Sequence, residues 1–126
     1  MFYRTFLVLF LAISFQSWSQ EYEIKSEYVE INTRDNQVIY KGDVQFLSEQ
    51  INFSSNKLVV DQKQEQFSAE GNPINISYIA DGQQITGTSM KLELFQNVLS
   101  LSGNVQLITG NNKIASDSIV IKLNND

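Results

Sequence analysis

The fold of this chain is decided by the stretch Ile51-Asn-Phe-Ser-Ser-Asn-Lys-Leu58, because the sequence repeats it. Two further copies start at Ile85 and Ile114 and a weaker copy starts at Ile24, so that successive starts lie 27, 34 and 29 residues apart. The three stronger copies open with Ile, close on Leu or Ile, and have a serine at the fifth place, namely Ser55, Ser89 and Ser118. A period in this range is typical of one structural unit that stacks repeatedly on itself.

We call this repeated stretch the serine unit. The alternation of its side chains predicts a bend in each copy. Residues two apart in a strand share a face. Ile51 and Phe53 lie on one face, whereas Leu58, the next apolar residue, falls on the other. The same change of face occurs in the copies that start at Ile85 and Ile114. An inserted residue or bend is therefore expected in each copy, as where a strand passes from one sheet to a second sheet packed on it.

A second unit alternates with the first and consists of Gly, then Asp or Asn, then Val or Pro. Its copies are Gly42-Asp-Val44, Gly71-Asn-Pro73 and Gly103-Asn-Val105. The apolar residues keep one face through the first and third copies but change face across the middle one. Because proline has no N–H to donate to a β-ladder, a bulge is predicted at residues 71–73.

Polar clusters between these units predict tight turns at residues 34–37, 61–66, 81–83 and 109–112. Connections this short leave no room for crossover helices, so neighbouring strands should be antiparallel. The predicted fold class is therefore all-β, with two stacked sheets in an antiparallel β-jelly roll built from repeated strand units.

Residues 1–19 are predicted to be a secretory signal peptide that is cleaved before Gln20. The basic Arg4 precedes an apolar run at 6–15, and the small residues Ser17 and Ser19 lie three and one positions before the cleavage site. The run is shorter than the ~20 apolar residues that span a bilayer. We therefore expect one exported domain at 20–126, with an uncleaved membrane anchor as the alternative.

Composition argues against several classes of function. The formal net charge is −5, and no basic patch offers the Lys and Arg side chains that nucleic-acid binding requires. The chain has no Cys and no His, so a disulfide, a thiol nucleophile and the commonest general base are all absent. No carboxylate spacing points to catalytic residues or a metal site. We therefore expect neither an enzyme nor a cofactor-binding protein.

The order and spacing of these segments resemble the OstA-like domain of the LptA family. The similarity extends from about Tyr22 to Leu123, and no single motif in it is specific. The segments that carry it are Ile24-Lys-Ser26, Tyr40-Lys-Gly42, Gly71-Asn-Pro73, Asp81-Gly82, the stretch from Ile85 to Leu92, Leu99-Ser-Leu-Ser-Gly-Asn-Val105 and Ile114-Ala-Ser-Asp117.

The resemblance implies an open-ended jelly roll in the periplasm that shields the acyl chains of lipopolysaccharide in an apolar groove. It implies groove residues that match Val44, Phe46, Ile51, Phe53, Ile76, Leu92, Leu94, Leu101 and Leu107. It also implies head-to-tail pairing of edge strands, with LptC-like and LptD-like partners or with further copies of the chain. The edges correspond to the first strand, 22–31, and the last, 119–123, which contain Tyr22, Ile24, Ile31, Ile119 and Ile121. Because the chain is acidic, acyl-chain burial rather than phosphate capture should dominate.

Two alternatives remain open from the sequence alone. One is an LptC-like transfer protein of the same fold that residues 6–15 hold at the inner membrane. The other is an exported structural β-solenoid that self-assembles without a lipid. A mature N-terminus at Gln20 would exclude the anchored version.

Overall fold

The computed structural model of the protein describes residues 22–123, and these form eight β-strands. The strands are β1 Tyr22–Lys25, β2 Tyr28–Asn32, β3 Gln37–Ser48, β4 Ile51–Asp61, β5 Gln66–Ala80, β6 Gln83–Phe95, β7 Val98–Thr109 and β8 Asn112–Lys122. Within this range there is no helix, and hence none that could cross a membrane. The predicted signal peptide and its cleavage site lie outside the described residues.

The strands make one continuous antiparallel sheet in the order β1-β3-β4-β5-β6-β7-β8, with β2 also paired to β3. The antiparallel prediction is confirmed for every pair. The prediction of a single first strand over 22–31 was wrong, because the chain breaks at Ser26 and Glu27 into two short strands that pair with opposite halves of β3.

The sheet is folded over along a line that crosses the middle of every long strand. At this line the register shifts in all five pairs from β3–β4 to β7–β8. We call the two halves the upper and lower layers. The upper layer contains β2 and residues 37–41, 57–61, 66–70, 91–95, 98–102 and 118–122; the lower layer contains β1 and residues 44–48, 51–54, 74–80, 83–88, 105–109 and 112–116. The predicted jelly roll is confirmed, and its two sheets are halves of one sheet.

Two of the three Gly-containing units, Gly42-Asp-Val44 and Gly103-Asn-Val105, bend the sheet because they adopt left-handed backbone conformations. Gly42 and Asp43 have φ of 86° and 48°, and Gly103 and Asn104 have φ of 86° and 52°. Two consecutive residues of this kind displace the chain from the ladder, which favours Gly followed by Asn or Asp. In the middle copy the register shift lies at a cis peptide bond before Pro73, so the predicted bulge is confirmed.

A serine marks the same bend on the other strands, and we call the four equivalent residues the corner serines. Ser26, Ser55, Ser89 and Ser116 each donate a hydrogen bond to the carbonyl oxygen two residues later, at 3.1, 3.1, 3.0 and 3.0 Å. The predicted equivalence of Ser118 with Ser55 and Ser89 was therefore wrong. The copies align at the corner rather than at their first isoleucine.

Tight turns close the hairpins at the two ends of the folded sheet. The four predicted turns are confirmed at residues 33–36, 62–65, 81–82 and 110–111. Turns at 49–50 and 96–97 were not predicted. Gln96 and Asn97 have φ of 51° and 65°, which is the backbone of a mirror-image hairpin turn.

Candidate functional site

The inner faces of the two layers form one apolar interior. Leu58, Ile74, Leu99 and Val105 have 0% of their surface exposed. Each of them shares strand parity with an apolar neighbour two residues away, so alternation could have placed them inward. The predicted groove residues belong to the same cluster: eight of them are at most 4% exposed and Leu94 is half-buried against them.

Four aromatic rings join the two layers on the side away from the bend, and we call Tyr22, Phe46, Phe53 and Phe67 the aromatic clasp. The Phe46 ring stacks on that of Phe53 with centroids 4.9 Å apart, and on that of Tyr22 at 5.3 Å. Phe67 comes from the upper layer and meets the rings of Tyr22 and Phe46 edge-on, at 5.3 Å in both cases. Edge-to-face and offset-stacked rings at these distances attract each other beyond their burial alone.

Two tyrosines have raised pKa values because their phenols are buried in this interior. Burial, with a smaller contribution from the Tyr22 phenol, raises the pKa of Tyr40 to about 12. Burial also raises the pKa of Tyr22, with a further effect from the Glu65 carboxylate in the β4–β5 turn. Both shifts disfavour the phenolate, as expected where charge is poorly solvated.

The apolar inner surface continues beyond the covered region at both ends of the fold. At one end Val29 and Ile31 lie opposite Tyr40 and Val38 on the inner face, yet they are 41% and 60% exposed. At the other end Ile114 lies opposite Leu107 and is 48% exposed. Since residues directly opposite one another share a face of the sheet, the exposed side chains extend the buried surface into solvent.

The predicted edge strands lie at the two ends of the sheet. Among the described strands, β8 pairs only with β7, and β1 and β2 pair only with β3. β8 is 11 residues long, and its first seven residues are all exposed. Tyr22 and Ile24 on β1, and Ile119 and Ile121 on β8, point inward and contact the core, whereas Ile31 is exposed. An uninterrupted edge of this length presents unpaired N–H and C=O groups that a further strand can use.

In the stretch from 22 to 123, no three side chains of the ligating types His, Cys, Asp and Glu come together in a group that could hold an ion.

Comparison with known proteins agrees with the geometry of the sheet. Residues 23–126 match the family described as the LptA/(LptD N-terminal domain) LPS transport protein. The fold resembles the crystal structure of LptH from Pseudomonas aeruginosa, described as the LptA homologous periplasmic component of the conserved lipopolysaccharide transport device. The TM-score is 0.73 at 18% sequence identity, over 82% of this chain and 76% of that one. No curated protein sequence matches the chain. The family match covers nearly all of the described sheet, so the chain belongs to the LptA/LptD N-terminal domain family of lipopolysaccharide transport proteins.

Proposed function

We propose that this protein carries lipopolysaccharide across the periplasm by sheltering its acyl chains between the upper and lower layers. One observation carries the proposal: the inner apolar surface runs without a break through the core and is exposed at both ends, at Val29 and Ile31 and at Ile114. A sealed core would bury these residues. An apolar trough that is open at its ends suits a ligand that enters one molecule and leaves towards the next.

Burial of hydrocarbon supplies the affinity. Removing a methylene group from water is worth about 0.8 kcal/mol, so an acyl chain of roughly 12 carbons gains about 9 kcal/mol. The protein has a formal net charge of −5, which disfavours long-range attraction of the lipid phosphates. Acyl-chain contact with residues such as Phe53, Leu101 and Leu107 is therefore the main source of binding.

Acyl chains reach the interior when the layers part. The core side chains pack closely on one another, with Leu92 and Leu101 both 1% exposed, so the lipid must displace contacts between layers. The backbone is continuous at the bend, whereas only side chains join the layers at the aromatic clasp. Opening therefore occurs at the clasp, by separation of Phe67 from Tyr22 and Phe46.

Edge strands link the carrier to its partners. β8 at one end, and β1 with β2 at the other, pair with different surfaces of a neighbour, so the contact is head to tail and need not close on itself. The neighbours at the two membranes are an LptC-like and an LptD-like protein, with further copies of this chain between them.

Photocrosslinking tests the groove directly. A photoreactive amino acid replaces Phe53 or Leu101, which are 3% and 1% exposed, and Lys91, which is exposed on the outer face, serves as the matched control. With radiolabelled lipopolysaccharide, we expect adducts at Phe53 and Leu101 and background at Lys91. Unlabelled lipid A should compete for both inner positions. Equal capture at all three positions would contradict the groove.

A further inference from the structure

A second concave surface lies on the opposite side of the lower layer from the groove. It is a cleft of about 510 Å³ formed by β3, β4, β5, β6 and β7. Its floor contains Gln45, Ser54, Asn75, Thr88 and Gln106, which lie directly opposite one another across the five strands. Their sequence neighbours Phe46 and Leu107 belong to the buried core, so this row faces outward.

Most of the residues that line the cleft carry an amide or a hydroxyl group and none is charged, while apolar atoms make up most of its surface. A second row beside the first continues the pattern with Asn52, Ser77 and Thr86. The outer face of the upper layer differs, because Lys57, Glu70 and Lys91 lie in one register row there. The absence of charge is thus a property of this cleft, not of the outer surface in general.

The side chains of the first row have hydrogen-bonding capacity to spare. In the part of the chain that the structure describes, none of the five makes a side-chain hydrogen bond to another protein group. In the second row, by contrast, Ser77 Oγ accepts from Gln84 Nε2 at 2.9 Å and Asn52 Oδ1 accepts from the Ser48 N–H at 2.9 Å. An amide carries both donors and acceptors and a hydroxyl does the same, so the row can match groups that both donate and accept.

The spacing of the row suits a polymer of hydroxylated rings. Neighbouring strands lie about 4.8 Å apart, so five strands present hydrogen-bonding groups over about 19 Å at intervals close to the length of a pyranose unit. Leu47 and Ile108 flank the rows and offer apolar contact to the C–H faces of sugar rings. An uncharged ligand also avoids the repulsion that the chain's net charge of −5 exerts on anions.

We propose that this cleft binds an uncharged oligosaccharide that lies across β3 to β7. The glycan is separate from any lipid held in the groove, because the cleft and the groove face opposite sides of the lower layer. A single lipopolysaccharide molecule with its tails inside would have to bring its sugars around an edge of the sheet. The carrier could then bind a neutral glycan at this cleft while its interior remains accessible to lipid.

Nuclear magnetic resonance titration of the purified protein tests this site. The probe is cellohexaose, an uncharged glucose hexamer, with a hexamer of galacturonic acid as the anionic comparison. We expect saturable shifts of the backbone amide signals of Ser54, Asn75 and Thr88 with cellohexaose and none with the acidic hexamer. The triple variant Asn75→Ala/Thr88→Ala/Gln106→Ala should bind about tenfold more weakly or worse, because several hydrogen bonds are lost together.

A matched variant and two further measurements separate the competing explanations. Ser68→Ala/Ser100→Ala changes half-buried polar residues on the outer face of the upper layer and should leave binding unchanged. Lipopolysaccharide bound in the groove should leave the cellohexaose affinity unaltered. Absence of shifts at millimolar cellohexaose, or equal weakening in both variants, would overturn the proposal. So would shifts of the same amides that depend on protein concentration alone, since a second copy would then cover the cleft.

Discussion

The ionisation of Tyr40 is coupled to folding. Its phenol lies in the interior of the upper layer near Tyr22, and burial raises its pKa to about 12 from an ordinary value of 10.0. A raised pKa means that the folded state holds the proton more strongly than the unfolded state. The associated stability is complete below pH 10 and is lost as the pH rises from about 10 towards 12.

Replacing this phenol should flatten the alkaline decline. We expect Tyr40→Phe to lose less stability than the parent protein between pH 9 and pH 11.5, because the variant has no proton to release at this position. Urea-denaturation midpoints at the two pH values measure the effect. Tyr28→Phe, at a tyrosine that is 53% exposed, should decline as the parent does. Parallel declines in all three proteins would show that Tyr40 does not control the alkaline limit.

The inward-facing residues were the most predictable part of the site, because the alternation of apolar and polar residues along a strand shows which side chains share a face. Phe53 and Leu101 could be placed on the inner face without any knowledge of their neighbours. The exposure of Val29 and Ile31 could not, because it depends on how far the opposite layer extends. Ser116 was missed as a corner serine for a related reason: the copies were aligned on Ile114, whereas the bend fixes the structural equivalence.

At the level of elements, the glycines of the repeated Gly-containing units allow close packing as well as a left-handed backbone. Other residues occupy the space that a side chain at these positions would need. A Cβ at Gly103 would lie 2.6 Å from the Cβ of Met90, and one at Gly42 would meet the Glu27 carboxylate. A Cβ at Gly82, in the β5–β6 turn, would have no atom within 4 Å. Gly103 and Gly82 have similar φ of 86° and 78°, so they differ mainly in packing.

Alanine substitutions at these two glycines should separate backbone strain from close packing. We expect Gly103→Ala to reduce the free energy of unfolding by about 1–3 kcal/mol more than Gly82→Ala, as overpacking typically does. Urea denaturation at neutral pH measures both. Because the two share the cost of a left-handed backbone, equal losses would mean that the bend tolerates a side chain beside Met90.

The corners could be predicted from the repeat, whereas the clasp could not. Each serine unit changes face once, which requires a bend wherever the strand occurs. Contact between Phe67 and Phe46 joins strand segments in different layers, and it depends on the angle at which the sheet folds over. The turn at Gln96 and Asn97 escaped prediction because Gln is not among the residues that usually mark such a turn.

For the whole molecule, the outer faces of the two layers differ in charge. The upper layer has charged side chains on its outer surface, whereas strands β3 to β7 of the lower layer form an uncharged cleft on theirs. The edges differ too, since β8 is one long strand and the opposite border is divided into β1 and β2. A contact between unlike edges gives any assembly of this protein a direction.

The relative orientation of neighbouring copies can be tested with paired cysteines, because the native chain contains none. If β8 meets β1 and β2 of the next copy with both layers continuous, Val120 lies near the neighbour's Glu30 in the upper layer. Oxidation of Val120→Cys/Glu30→Cys should then give a ladder of multimers on a non-reducing gel. Val120→Cys/Glu23→Cys should not, because Glu23 belongs to the lower layer. The reverse result would mean that the layers exchange at each junction.

This orientation follows from how often the chain passes between the layers. β1 and β2 together make one passage, and each strand from β3 to β8 makes another, which gives seven. An odd count means that the first and last passages run in the same direction, so a junction that keeps the layers aligned is parallel. Tyr22 and Leu123 consequently lie on opposite flanks of the fold. In a row of copies, labels attached near Tyr22 and near Leu123 would therefore lie on different sides of the assembly. Electron microscopy of the labelled assembly would then show which of its two sides faces the viewer.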